Sequence, residues 1–180
     1  MLNLLSRTLR RFRSDQRGTV LVEMSLVAPL MLVLSAGVYE FGNLIHDKLL
    51  MEAGLTDAAR FAARCNNQLY TDAGYTAIDC ADLAKKIAVF GNVGGTGFAR
   101  VRDWTTASVT INIADPATCK NAVDPATGTL LYLSTTSQVC IVTASGTYAY
   151  GTLDSVGLFS LLNITSITLG ASHQERLIRF

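Results

Sequence analysis

The sequence predicts an α+β protein in which a long, membrane-spanning N-terminal helix continues as the spine of a small head with an antiparallel sheet of about four strands. Three observations support this fold. Residues 19–38 contain one charged residue in twenty, which is the length of helix that spans about 30 Å of hydrocarbon. The helical pattern then continues to about Arg64, and alternating strand patterns follow. We therefore divide the chain into a leader (1–18), a helix (19–64, with 19–39 in the membrane) and a head (65–180).

The leader is strongly basic. It carries five arginines and a single acid, Asp15. Basic residues that precede an apolar span usually remain on the cytoplasmic side, so we expect a single span with the head outside. A nucleic-acid-binding arm is the alternative explanation of the arginines, but the adjoining span argues against it, and no nucleic-acid partner is expected.

Within the helix, Pro29 falls in the apolar run, where membrane helices tolerate proline. After Tyr39 the pattern becomes amphipathic, with Lys48 and Glu52 spaced four apart so that they can pair. We expect one apolar face to cover the sheet, because a sheet must bury one face against another element. The residues of that predicted face are Phe41, Leu44, Ile45, Met51, Leu55, Ala59 and Ala62.

The head begins with a polar loop and then a short helix at Asp79–Phe90, where Asp79 is a possible N-cap and Gly91 a stop. Apolar and polar residues then alternate over several short segments, which indicates strands. The predicted strands are Ser108–Ala114, Thr129–Ser134, Val139–Tyr150 and Ile164–Ser172.

All four cysteines lie in the predicted head: Cys65, Cys80, Cys119 and Cys140. None has the C-x-x-C spacing of a zinc or redox site. An even number of cysteines in an oxidising compartment indicates two disulfides. Three pairings are possible, and we favour the sequential one, Cys65–Cys80 and Cys119–Cys140.

Catalytic patterns are absent from the sequence. His46 and Asp47 have no identifiable partner serine, and Asp115, Asn121 and Asp124 lack the spacing of an EF-hand calcium loop. We expect no enzyme activity, no cofactor, no metal and no small-molecule substrate.

The junction between leader and helix is the most informative part of the chain. The leader ends in Gly18, the apolar helix begins at Thr19, and Glu23 is the fifth residue after the glycine. This arrangement resembles the class III signal of type IV pilins and pseudopilins. The resemblance implies that a prepilin peptidase cleaves between Gly18 and Thr19. It also implies that Glu23 pairs during assembly with the terminal amine of a neighbouring subunit, which would offset the cost of a carboxylate in a membrane. A glutamate that merely reaches the inner interface is the alternative.

Over residues 15–64 the chain is similar to the TadE-like family of minor pilins, or pseudopilins, of the tight-adherence (Tad or Flp) pilus. The similarity rests on four stretches: Arg17–Glu23, Pro29, Glu40–Gly42 and the run Asp57–Arg64. Met24 departs from the family, which usually has Phe at that position. The resemblance implies a minor pilin needed for pilus assembly and adherence, with other pilins and the assembly machinery as partners. It implies an inner-membrane location with a periplasmic head and, within a pilus, the cell surface.

Two other interpretations remain open at this stage. In one, the chain is an uncleaved single-pass anchor with a periplasmic binding module. In the other, a general signal peptidase cleaves after Gly37, with Ser35 and Gly37 as the small residues of its site, and releases a soluble domain.

Overall fold

The computed structural model of the chain describes residues 17–113, 116–131, 138–151 and 167–178, and the following statements concern these residues. Three helices and five strands are present. The helices are α1 (Arg17–Arg64), α2 (Asn67–Asp72) and α3 (Cys80–Phe90), and the strands are β1 (Val109–Asn112), β2 (Lys120–Asn121), β3 (Gln138–Val139), β4 (Ile141–Tyr150) and β5 (Ile167–Arg176). The predicted α+β class, a long apolar helix followed by a small head with an antiparallel sheet, is confirmed.

Helix α1 has 48 residues and is therefore about 72 Å long. It continues through Pro29 and ends at Arg64, where the sequence predicted its end. Its first half, up to Tyr39, makes no buried contact with the head. Its second half packs against α3, β4 and β5.

The main sheet has the order β1-β4-β5, and both pairings are antiparallel. Gly146 of the central strand lies opposite Val109 on one side and Ala171 on the other. A separate ribbon joins β2 and β3, which the sequence analysis did not predict. Of the predicted strand Thr129–Ser134, Leu130 forms only an isolated bridge with Val123, and residues 132–137 lie outside the described ranges.

The core lies between α1 and the sheet, with α3 at one side. Four residues of the predicted helix face, Met51, Leu55, Ala59 and Ala62, are fully buried. Two others, Phe41 and Ile45, are 52% and 55% exposed, so for them the prediction is wrong.

The buried face of α1 also includes Gly54, where α3 approaches the helix closely. A Cβ atom placed on Gly54 would lie well under 3.0 Å from the Ala88 carbonyl oxygen and 3.3 Å from Cζ3 of Trp104. A hydrogen at this position allows the backbones of the two helices to meet. Glu40 and Ala58 also face inward. Phe41 lies five helical turns before the buried Ala59, on the same side of the helix, and it is exposed because the head covers that side only further along.

Helix α3 begins and ends as its sequence predicts. The Asp79 carboxylate accepts hydrogen bonds from the backbone N–H groups of Ala81 and Asp82, at 2.9 and 3.0 Å. Gly91 takes the left-handed conformation, with φ = 73°, and its N–H bonds the Ile87 carbonyl.

The four cysteines form two disulfides, Cys65–Cys80 and Cys119–Cys140, which is the sequential pairing favoured above. The first joins the C-terminal end of α1 to the start of α3. The second joins the loop before β2 to the residue before β4. The paired cysteines are 15 and 21 residues apart in the sequence, respectively.

Polar contacts along α1 hold the head in place. Lys48 pairs with Glu52 at 3.4 Å, as its spacing predicted, and also donates to the Gly170 carbonyl of β5. Higher on the helix, Asp57 accepts from Arg100 at 2.6 Å. Because these side chains are partly exposed, each ion pair contributes at most about 1 kcal/mol, so they orient the head more than they stabilise it.

Candidate membrane and assembly segment

The N-terminal half of α1 is an apolar surface without protein cover. The helix is long and apolar enough to cross a membrane, and none of its most apolar window is buried against the rest of the described chain. Large side chains such as Leu21, Leu26 and Leu32 are more than two thirds exposed. In water this surface would be strongly unfavourable, at roughly 25 cal/mol per Å² of apolar area. The segment therefore needs lipid or other apolar helices around it.

Gly18 stands in the first turn of α1. Glycine costs about 1 kcal/mol relative to alanine inside a helix. At Gly54 that cost has a packing reason, but at Gly18 no described atom lies within 4 Å of the place a Cβ would take. The described structure therefore offers no packing reason for a glycine at position 18.

Glu23 lies five residues further along, about 7.5 Å up the helix axis from Gly18. Its side chain is exposed, and none of the residues described forms a hydrogen bond or ion pair with it. The two serines of the span differ from it. Ser25 donates to the Val22 carbonyl at 2.8 Å, and Ser35 donates to the Leu32 carbonyl at 3.0 Å. Hydroxyls that bond back to their own helix add little polarity to a span, so Glu23 is the group that needs an external partner.

The apolar segment ends where the head begins. Glu40 is only 6% exposed, and Tyr150 at the end of β4 is buried nearby. Burial raises the pKa of Tyr150, and the negative charges of Asp47 and Glu40 raise it further. Burial also raises the pKa of Asp47, while the positive charges of His46 and Arg102 oppose that shift. Acidic and phenolic side chains therefore gather at the base of the head, next to the upper end of the span.

Sequence reasoning missed both Glu40 and Gly54 as inward-facing residues. For Glu40 the available signal was its spacing, since it stands four and eleven residues before Leu44 and Met51, which also face the head. For Gly54 the signal was a glycine in the interior of an otherwise regular helix.

The residues considered for calcium binding have other roles where they are described. Asp124 accepts from the Ala126 N–H at 2.9 Å and from the Thr127 hydroxyl at 2.8 Å, which is a turn-stabilising arrangement. These hydrogen bonds, the one from Ala126 first, lower the pKa of Asp124. Asp115 lies outside the described residues. Within the described ranges, no group of three or more His, Cys, Asp or Glu side chains is placed to hold a metal ion.

Residues 18–64 match the family model described as "TadE-like protein". No curated protein and no solved structure matches the chain. The match begins at Gly18, includes Glu23, and ends with α1 at Arg64. The part of the chain that is similar to the TadE-like family is therefore helix α1, with the apolar segment and the glycine–glutamate pair at its start.

Proposed function

We propose that this protein is a minor pilin of a Tad pilus, cleaved by a prepilin peptidase between Gly18 and Thr19 and assembled through Glu23. The observation that carries the proposal is helix α1 itself, an uncovered apolar span whose carboxylate at Glu23 has no described partner. The TadE-like match supports a role with the Tad pilus. Cleavage and assembly are our additions to it.

Cleavage is supported by the local chemistry at Gly18. A membrane peptidase that acts beside the bilayer must bring its catalytic groups close to the scissile backbone, and a residue without a side chain allows this. No described atom constrains the Cβ position of Gly18, which agrees with a role outside the folded monomer. Cleavage would remove the arginine-rich leader and leave a new amino group at Thr19, on the same end of the span as Glu23.

Assembly is supported by the charge that Glu23 leaves unpaired. A single carboxylate at membrane depth costs about 3 kcal/mol on insertion scales. A free ammonium in an apolar bundle is similarly unfavourable, and the two groups neutralise each other when they meet. The terminal amine of a neighbouring subunit supplies that ammonium. Without such a pair, apolar helices could slide past one another. Pairing through Glu23 thus fixes a preferred register between neighbouring helices.

The head is then expected in the periplasm. The basic leader favours a cytoplasmic N-terminus, and the two disulfides suit an oxidising compartment. Helix α1 would hold the head at the membrane surface from Glu40 onward, with the Cys65–Cys80 bridge at the far end.

The test compares piliation with processing in the same strains. We expect Glu23→Ala and Glu23→Gln to insert normally and to be cleaved after Gly18, because the scissile bond lies five residues upstream. Surface pili should fall sharply in both variants, because the bundle would contain an unpaired ammonium. Glu23→Asp keeps the charge and should retain more pili than Glu23→Gln.

Ser35→Ala is the matched control, since it removes a polar group from the same span without removing a charge. Its hydroxyl bonds only to its own helix among the described residues, so piliation should stay normal. Normal piliation with both Glu23→Ala and Glu23→Gln would show that the carboxylate has no role in assembly.

A further inference from the structure

An open cleft of about 730 Å³ lies at the end of the head farthest from the apolar segment, beside the C-terminal end of α1. We call it the distal cleft. Its polar lining includes Asn67, Gln68, Thr71 and Asp79, and Ile78 is among its apolar contributors. Its volume lies in the range of small-molecule sites, and its lining is more polar than apolar.

The walls of the distal cleft are held by cross-links. The Cys65–Cys80 disulfide ties Cys80, which lines the cleft, to the residue that follows α1. The Asn67 side chain accepts a hydrogen bond from the Ile78 N–H at 2.8 Å, and Asp79 caps α3. A binding site that is already fixed loses little conformational entropy when a ligand enters.

Several side-chain atoms that line the cleft take no part in these hydrogen bonds. Asn67 uses its side-chain oxygen, and Asp79 uses Oδ1. Within the described part of the chain, the Asn67 amide nitrogen, the Gln68 carboxamide and Asp79 Oδ2 have no hydrogen-bond partner. Carboxamides both donate and accept, and a carboxylate accepts. Such a set matches hydroxyl groups, which also do both.

The charge of the described lining disfavours anionic ligands. Among the described residues that line the distal cleft, only Asp79 is charged and none is basic. Phosphate, sulfate and carboxylate groups bind where basic side chains can pair with them. A neutral, hydroxyl-rich ligand needs no basic side chain in order to bind.

Two exposed tyrosines belong to the chain segment that lines the distal cleft: Tyr70 precedes Thr71, and Tyr75 lies between Thr71 and Ala77. Tyr75 is 70% exposed and Tyr70 is 46% exposed. Their backbones are joined by a 2.8 Å hydrogen bond from the Tyr75 N–H to the Tyr70 carbonyl. Tyrosine combines a large apolar face with a polar tip, which suits a ligand that has both C–H and O–H surfaces.

We propose that the distal cleft binds a neutral saccharide, with Asn67, Gln68 and Asp79 bonding its hydroxyls and Tyr75 packing on its ring. This site lies about 60 Å along α1 from Glu23, given roughly 1.5 Å per residue. Binding there is independent of cleavage and assembly, so its test stands apart from that of the proposed function.

The test is saturation-transfer NMR on the full chain in dodecylphosphocholine micelles, a detergent without a sugar headgroup. The probes are D-glucose, D-galactose, D-mannose and N-acetyl-D-glucosamine, each at millimolar concentration, with N-acetylneuraminic acid as the anionic comparison. We expect saturation of at least one neutral sugar and none of the acid. The proposal is overturned if no neutral sugar receives saturation, or if the acid binds as well as the neutral sugars do.

Two matched pairs of variants locate the binding. Gln68→Ala should weaken binding about fivefold to tenfold, as expected for the loss of one hydrogen bond, whereas Gln174→Ala, an exposed glutamine on β5, should not. Tyr75→Ala should also weaken binding, whereas Phe98→Ala, which removes a fully exposed ring elsewhere, should not. Fluorescence of the single tryptophan, Trp104, reports whether each variant is folded. Equal binding by wild type and both cleft variants would overturn the assignment.

Discussion

Replacing Gly54 with alanine tests the close contact between α1 and α3. Helix propensity alone predicts that Gly54→Ala stabilises the protein by about 1 kcal/mol. Packing predicts the opposite, because the new methyl would lie well under 3.0 Å from the Ala88 carbonyl oxygen and 3.2 Å from its carbon. These are backbone atoms of α3, so no side-chain rotation can relieve the overlap.

The expected size of the effect follows from the movement that relief requires. If α3 withdraws by 0.5–1 Å, each contact across the interface loses about a quarter to a half of its dispersion energy. Overpacking of a core typically costs about 1–3 kcal/mol. Taking about 3 kcal/mol for a contact with backbone and subtracting the propensity gain, we expect a net loss of about 2 kcal/mol. For a head of this size that corresponds to a decrease in Tm of roughly 8 °C.

The assay is thermal unfolding of the full chain in micelles, followed by Trp104 fluorescence. This residue is the only tryptophan in the chain, and its Cζ3 lies 3.3 Å from the position of the new methyl, so it reports on the contact itself. Gly42→Ala is the matched control, since it lies in the same helix with no described atom within 4 Å of its Cβ position. It should be neutral or slightly stabilising. A Gly54→Ala variant as stable as Gly42→Ala would refute the close approach of the two helices.

Three further predictions concern the leader, the disulfides and the pH dependence of the head. Gly18→Leu should leave a precursor about eighteen residues longer, visible on a gel, because the peptidase would meet a side chain at its site; maturation at the usual position would contradict this. Serine substitution of both members of the Cys65–Cys80 pair should lower the free energy of unfolding by about 3 kcal/mol without changing membrane insertion, and non-reducing peptide mapping checks the pairing. The pKa of Glu175 lies below its usual 4.5, mainly through the hydrogen bond with His173 and also that with Arg60. Its stabilising effect should therefore be complete above about pH 5 and be lost as the pH falls through the lowered pKa. Unfolding of wild type and Glu175→Gln should converge at low pH, and a constant difference between them would contradict the assignment.

Much of the helix could be predicted from the sequence because its signals are local. The span needs only about twenty apolar residues in succession, and the glycine–glutamate pair is read from neighbouring positions. The end of α1 at Arg64 and the caps of α3 at Asp79 and Gly91 also depend on residues within one turn. The sequential disulfides follow the same principle, since each joins cysteines close in sequence.

The direction that α1 presents to the head could not be obtained this way. Part of it is the contact of α3 at Gly54, where a glycine leaves room for the Ala88 backbone, and hydrophobic periodicity does not identify such a contact. The exposure of Phe41 and Ile45 depends on where along α1 the head begins to cover the helix, which the periodicity of the helix does not show. The short β2–β3 ribbon escaped prediction because two-residue strands carry no periodic signal.

The central claim is that the mature protein begins at Thr19, with Glu23 as its fifth residue. Intact-mass measurement and N-terminal sequencing of protein purified from the membrane fraction test it most directly. The proposed processing predicts a chain that starts at Thr19 and lacks the eighteen-residue leader. A chain that starts at Met1 would be an uncleaved anchor, and one that starts at Val38 would be a secreted domain without Glu23; either result would contradict the proposal.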